Sequence, residues 1–259
     1  MRMRNNFISQ KLKGLFLTGK KSLALLVDPD KIKDESSFRA LISLAITSNI
    51  DFFFIGGSLV LSDNIHRCVC LIRDSGTAVP VVLFPGNSIQ LVENADGILF
   101  LSLISGRNPD LLIGQHVISA PFLASSSLEV LPTGYMLVDS GKITSVNYMS
   151  QTIPLPNNKP GLAIATALAG TFLGLQYLFL DAGSGANNPV SPKVIAGVKE
   201  NTRCPLIVGG GIDSLTKAKL AWKSGADVVV LGNGVERNPS LLAEVSSSAH
   251  MYNLSLNVN

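Results

Sequence analysis

The stretch Tyr177-Leu178-Phe179-Leu180-Asp181-Ala182-Gly183-Ser184-Gly185 is an apolar run that ends in a carboxylate and then in glycines. It lacks polar alternation, which suits a strand covered on both faces, as in a parallel sheet sheathed by helices. The same pattern recurs downstream, where residues 206–209 lead into Gly210-Gly211 and residues 228–232 into Asn233-Gly234. Upstream, comparable runs occupy residues 23–28, 52–56, 79–84, 97–102 and 135–139, which makes eight in all. Most are separated by segments with helical signals. The repeat is therefore β-α with buried parallel strands.

Several of the helices have readable ends. Ser191-Pro192 is a cap followed by a first-turn proline, with Val194, Ile195 and Val198 on the inner face. Ser214 caps a helix that Gly225 stops, and Asn238-Pro239 repeats the cap-and-proline device. Ser62 or Asp63 is expected to open a helix that closes at Gly76. Two places are irregular: only Ile89, Leu91 and Val92 mark a helix after the third run, and residues 105–133 carry several serines and three prolines. Eight β-signals in 259 residues match a single (β/α)8 TIM barrel, whose usual size is roughly 250 residues, better than an open doubly wound sheet. The expected domain spans residues 1–249, with residues 250–259 as a polar tail.

Composition narrows the function classes. Hydrophobic residues are 46% and charged residues 15% of the chain, which excludes a disordered protein. The net charge of +3 is scattered, with no basic stripe for nucleic acid. Cys68, Cys70 and Cys204 have neither disulfide nor zinc spacing and fit reduced thiols in a cytoplasmic protein. Residues 1–21 are basic and mixed, unlike a secretory leader. Residues 161–180 are uncharged over the length of a membrane span, yet Gly170, Gly174, Gln176 and Tyr177 interrupt them. A buried helix followed by a buried strand accounts for them.

In this architecture chemistry lies at the C-terminal ends of the strands. Three glycine-rich turns at the last three strand ends can turn backbone N–H groups toward an anion, so a phosphate is expected there. Asp181 is the carboxylate nearest those turns and a candidate general base or hydroxyl anchor. Asp28, in Asp28-Pro29-Asp30-Lys31, can bind Mg2+, which usually takes one or two carboxylates and completes its shell with water and phosphate oxygens. Ser58, after Gly56-Gly57, can join that shell. Asp139 ends the fifth run. His66, His116 and His250 fall on a surface helix, in the irregular region and in the tail, away from any strand end.

Taken in order, these motifs resemble the geranylgeranylglyceryl phosphate synthase family, which includes the bacterial heptaprenylglyceryl phosphate synthases. The resemblance covers about residues 22–236. It rests on residues 26–31, Ile55-Gly56-Gly57-Ser58, Phe84-Pro85-Gly86-Asn87, residues 103–109, residues 179–186, Ile207-Val208-Gly209-Gly210-Gly211-Ile212 and Gly232-Asn233-Gly234-Val235-Glu236. It implies a transferase that joins the 3-hydroxyl of sn-glycerol 1-phosphate to the prenyl chain of a prenyl diphosphate, geranylgeranyl diphosphate, and releases diphosphate. By the same resemblance Asp28 and Ser58 hold Mg2+. Phe179, Leu180, Asp181, Ala182, Gly183, Ser184 and Gly185 contact glycerol phosphate, and its phosphate rests on Gly210, Gly211, Gly232 and Asn233. One departure stands out. The family carries Tyr-x-Glu on the sixth strand, where this chain has Phe179 and Asp181. The phenol is lost unless Tyr177 supplies it, and the carboxylate is retracted by one methylene. A homo-oligomer and transient membrane contact are also expected. Two other readings are a phosphosugar isomerase of the histidine-biosynthesis type, using Asp28 and Asp139, and a barrel that binds a phosphate ligand without turnover.

Overall fold

The computed structural model describes residues 6–60 and 64–256. Eight parallel strands close into a barrel in sequence order, β1 pairing with both β2 and β8. The strands are β1 (Ser22–Val27), β2 (Phe52–Ile55), β3 (Val81–Leu83), β4 (Gly97–Leu103), β5 (Glu129–Leu137), β6 (Tyr177–Asp181), β7 (Leu206–Gly209) and β8 (Val228–Leu231). Alternate side chains face opposite ways. One set, including Ala24, Phe52, Phe54, Val82, Phe179, Ile207 and Val230, fills the barrel interior. The other, including Leu23, Phe53, Leu180, Val208 and Val229, packs against the surrounding helices.

Those helices are α2 (Glu35–Thr47), α3 (Asn64–Asp74), α4 (Gln115–Ser125), α5 (Ser145–Ser150), α6 (Pro160–Phe172), α7 (Pro192–Asn201), α8 (Leu215–Lys223), α9 (Asn233–Arg237) and α10 (Ser240–Ser255), preceded by α1 (Phe7–Thr18). The Ser191 side chain accepts from Val194 N–H and that of Ser214 from Lys217 N–H, as their sequence positions require. Gly225 adopts φ +117°, where a side chain would be strained. Asn238 differs from expectation: its side-chain oxygen takes the Ser240 hydroxyl, and α10 begins without a side-chain cap. The cap expected at Ser62 or Asp63 lies outside the described residues.

Four further segments depart from the sequence reading. A single 3-10 turn, Ser88–Gln90, stands where a helix was expected after β3. The irregular segment contains a π-turn, Asp110–Gly114, running into α4, which tolerates Pro121. The expected tail is helical as far as Ser255, where α10 ends, and Asn253 clasps Lys21 by accepting its N–H and donating to its carbonyl. At the other terminus, α1 lies across the N-terminal mouth of the barrel. The Glu129 carboxylate accepts from Ile8 N–H at 2.8 Å and Ser9 N–H at 2.7 Å, while Ile8 and Leu12 join the interior cluster. That mouth is plugged, so the barrel opens at its C-terminal end. Among the described residues no helix is long and apolar enough to cross a membrane. The uncharged stretch at 161–180 is divided between α6 and β6.

Candidate active site

A polar cavity of about 850 Å3 opens at the C-terminal ends of the strands. Asp28, Ser58, Asp181, Ser184, Gly185, Gly210, Gly211, Gly232 and Asn233 all line it, so residues from β1, β2, β6, β7 and β8 converge as expected. The other residues expected to contact substrate stand behind that wall. Leu180 and Ala182 face the helical layer, and Phe179 is buried against the rings of Phe84 and Tyr135. Gly183, at φ +88°, turns its N–H onto Asp181 Oδ1 at 2.8 Å. Asp139 is exposed and accepts from Gly141 N–H.

Among the glycines at the strand ends, Gly210 is sterically required. At Gly210, φ is +79°, and a Cβ would lie 2.5 Å from Asp181 Oδ1 and 2.6 Å from the amide nitrogens of Ala182 and Gly183. The chain doubles back here so tightly that any side chain would displace the carboxylate. Gly232 and Asn233 sit at the start of α9, and the Asn233 amide donates to Ser184 Oγ at 3.1 Å, tying the β6 and β8 loops together.

Asp181 is held at both oxygens. Besides Gly183 N–H on Oδ1, the Tyr135 hydroxyl donates to Oδ2 at 2.5 Å. Burial raises the Asp181 pKa above its ordinary value, and the bonds from Tyr135 and Gly183 oppose that rise. Burial, followed by the nearby Asp181 charge, drives the Tyr135 pKa well above the usual phenol value. The pair is thus a carboxylate that gains proton affinity from burial beside a phenol that stays protonated. Tyr135 pairs in register with Phe179, so a phenol stands one strand over from the position where the sixth strand lacks one. Tyr177 does not substitute. Its hydroxyl meets Ser9 Oγ at 2.6 Å, at the plugged end of the barrel.

In the sequence the fifth apolar run begins with Tyr135, which sets it at the start of a strand and away from any site. In fact β5 begins at Glu129, and Tyr135 lies near its C-terminal end. Pro132, Thr133 and Gly134 break the apolar pattern and conceal those six residues. Lys31, Lys142 and Arg237 also line the cavity and supply positive charge that glycine turns alone do not reveal.

On the β1–β2 side, the Asp28 carboxylate accepts from Asp30 N–H at 3.2 Å, and its Oδ2 lies 3.5 Å from Lys31 Nζ. A Cβ on Gly57 would sit 3.6–3.7 Å from the Asp28 carboxyl atoms, so the β2 loop lies in contact range of that carboxylate. Among the described residues no group of three or more His, Cys, Asp or Glu could hold a metal. Asp28 and Ser58 line the same cavity, and Mg2+ usually takes only one or two carboxylates, with water and phosphate oxygens filling the rest of its shell.

A second cavity, of about 290 Å3, adjoins the first and shares Gly57, Ser58, Phe84 and Met149 with it. Its wall includes Leu91, Ile98, Leu99, Leu101, Leu103 and Leu111. Tyr135 lines this apolar chamber, whereas Asp181 lines the polar one. Their hydrogen bond crosses the boundary. The arrangement can bring a phosphate-bearing alcohol up to an apolar electrophile with a base at the junction.

Known proteins share this plan. The sequence pattern of the PcrB family matches residues 17–249. The chain is 52% identical over 240 residues to a geranylgeranylglyceryl phosphate synthase of Spirosoma linguale, covering 93% of this chain and 96% of that one. It is 45% identical over 246 residues to one from Chitinophaga pinensis, covering 95% of each. The crystal structure of (S)-3-O-geranylgeranylglyceryl phosphate synthase from Thermoplasma acidophilum, in complex with its substrate sn-glycerol-1-phosphate, superposes with a TM-score of 0.85 at 28% identity, covering 92% of this chain and 97% of that one. Matched over nearly the whole barrel, the chain belongs to the PcrB family.

Proposed function

We propose that this chain is a geranylgeranylglyceryl phosphate synthase, a prenyltransferase that forms an ether between the 3-hydroxyl of sn-glycerol 1-phosphate and a prenyl diphosphate. The observation that carries this reading is the Tyr135–Asp181 bond at the junction of a glycine-lined polar cavity and an apolar chamber. An isomerase of phosphosugars has no use for the apolar chamber, and exposed Asp139 is poorly placed as its acid.

In this reading the phosphate of the acceptor rests on backbone N–H groups near Gly210, Gly211, Gly232 and Asn233, beside the start of α9. The prenyl tail occupies the apolar chamber and excludes water from the junction. Asp28 and Ser58 would hold Mg2+, which when bound neutralises charge on the departing diphosphate. The acceptor oxygen bonds to C1 of the prenyl group as the C1–O bond to diphosphate breaks. Asp181 takes the hydroxyl proton, while Tyr135 and Gly183 fix its plane. The retracted carboxylate is thereby oriented by a phenol on the neighbouring strand.

Two associations complete the proposal. Ile113, just before α4, and Val117 and Ile118 on α4, the helix that walls the apolar chamber, are exposed and are the side chains for transient membrane contact. Leu162, Phe172 and Leu173, exposed at α6, are those for self-association. The central test is incubation with labelled sn-glycerol 1-phosphate, Mg2+ and a series of C15 to C35 prenyl diphosphates. A labelled ether is expected with at least one donor, and no ether with any donor would refute the assignment.

A further inference from the structure

The Lys31 ammonium stands between the two anion-handling halves of the polar cavity. Its Nζ lies 2.5 Å from Asn233 Oδ1, 3.5 Å from Asp28 Oδ2 and 3.5 Å from Glu236 Oε1. Asn233 continues the chain of contacts to Ser184. One cation thus touches both the carboxylate of the β1 loop and the glycine-rich loop after β8.

A bare divalent ion approaching Asp28 would meet this positive charge on the same carboxylate, and like charges at that range repel. A divalent ion already bound to diphosphate carries net negative charge, and the same ammonium attracts it. We infer that Lys31 makes the Asp28 site selective for the metal–diphosphate complex over the free metal ion. On binding, Lys31 exchanges Asp28 for diphosphate oxygens while keeping its contact with Asn233. The inference rests on the reading of Asp28 as a metal ligand.

Simple structural pairing is the competing account. Lys31 and Glu236 side chains are each 37% exposed, so pairs of this kind contribute little to folding, and removing Lys31 leaves the barrel intact. Binding rather than stability should therefore register the change. The experiment is calorimetric titration of the full chain with Mn2+ alone and with Mn2+–inorganic diphosphate, for the wild type, Lys31→Met, Lys31→Arg and Asp28→Asn.

Lys31→Met should bind Mn2+ alone about two- to fivefold more tightly, the effect of one partly exposed ion pair, and bind Mn2+–diphosphate more weakly by at least as much. Lys31→Arg should retain the wild-type preference. If Asp28→Asn abolishes metal binding while Lys31→Met leaves both affinities unchanged, or moves them in the same direction, the inference about Lys31 is overturned and the metal reading stands. If Asp28→Asn binds metal as the wild type does, both fall.

Discussion

Asp181 accepts from Tyr135 O–H and Gly183 N–H, and burial raises its pKa. A base must be ionised, so the rate should fall as pH drops through that raised pKa. Tyr135→Phe removes a bond that favours the ionised form. The acid limb of the kcat–pH profile should therefore move to higher pH, with kcat reduced about 10- to 100-fold. An unmoved limb would mean that Tyr135 only packs. Asp181→Asn should lose about 10²- to 10⁴-fold in kcat, and Asp181→Glu should preserve or raise activity if the retracted carboxylate limits the rate. The folded-state pKa of Asp181 is raised, so its stabilising contribution is greatest below the unfolded pKa and is lost as pH rises through the folded value. Removing it as Asn should thus raise the melting temperature more at pH 8 than at pH 4. Gly210→Ala should weaken glycerol phosphate binding at least tenfold, since its Cβ would strike the Asp181 carboxylate; titration calorimetry checks this. Asp181 and the glycines were readable because a residue that follows an apolar run marks a strand end. Tyr135 was not, because its reach to Asp181 depends on strand register, which periodicity leaves open.

Among the elements, α1 does the least chemistry and closes the barrel most directly. Glu129 accepts two backbone N–H groups from its first turn, and α1 sits on interior side chains. Glu129→Ala should cost about 1–2 kcal/mol of stability in urea unfolding. Prenyl transfer should be unchanged at low temperature, because the site opens at the opposite end. A stability loss below the error of the measurement would show that α1 docks by apolar contact alone. The eight strands were legible because helix-covered parallel strands read as apolar runs. The helices legible at their starts carried side-chain caps, Ser191 and Ser214. Nothing local distinguished α1 from a mixed basic segment, since the partners that order it, Glu129 and Tyr177, lie more than a hundred residues away. The end of α10 was hidden for a similar reason: residues 250–255 look polar, yet Asn253 anchors them to Lys21.

For the whole molecule, closing the sheet brings the first two strand ends beside the last three, so that Asp28 and Ser58 share a cavity with Asp181 and the glycine loops. The sequence order alone implied that convergence once a barrel was chosen over an open sheet. The apolar chamber was not legible, because its wall draws on the loop after β3, on β4, on β5 and on the irregular segment, whose path no periodicity describes. Self-association through α6 predicts that Phe172→Glu with Leu173→Glu lowers the sedimenting mass; an unchanged mass would remove that surface. The most direct measurement is a crystal structure of the chain with sn-glycerol 1-phosphate. The account predicts the phosphate on the backbone N–H groups of Gly210, Gly211, Gly232 and Asn233, with the C3 hydroxyl within hydrogen-bond reach of Asp181 and facing the apolar chamber. A phosphate bound elsewhere, or a C3 hydroxyl turned away from Asp181, would contradict it.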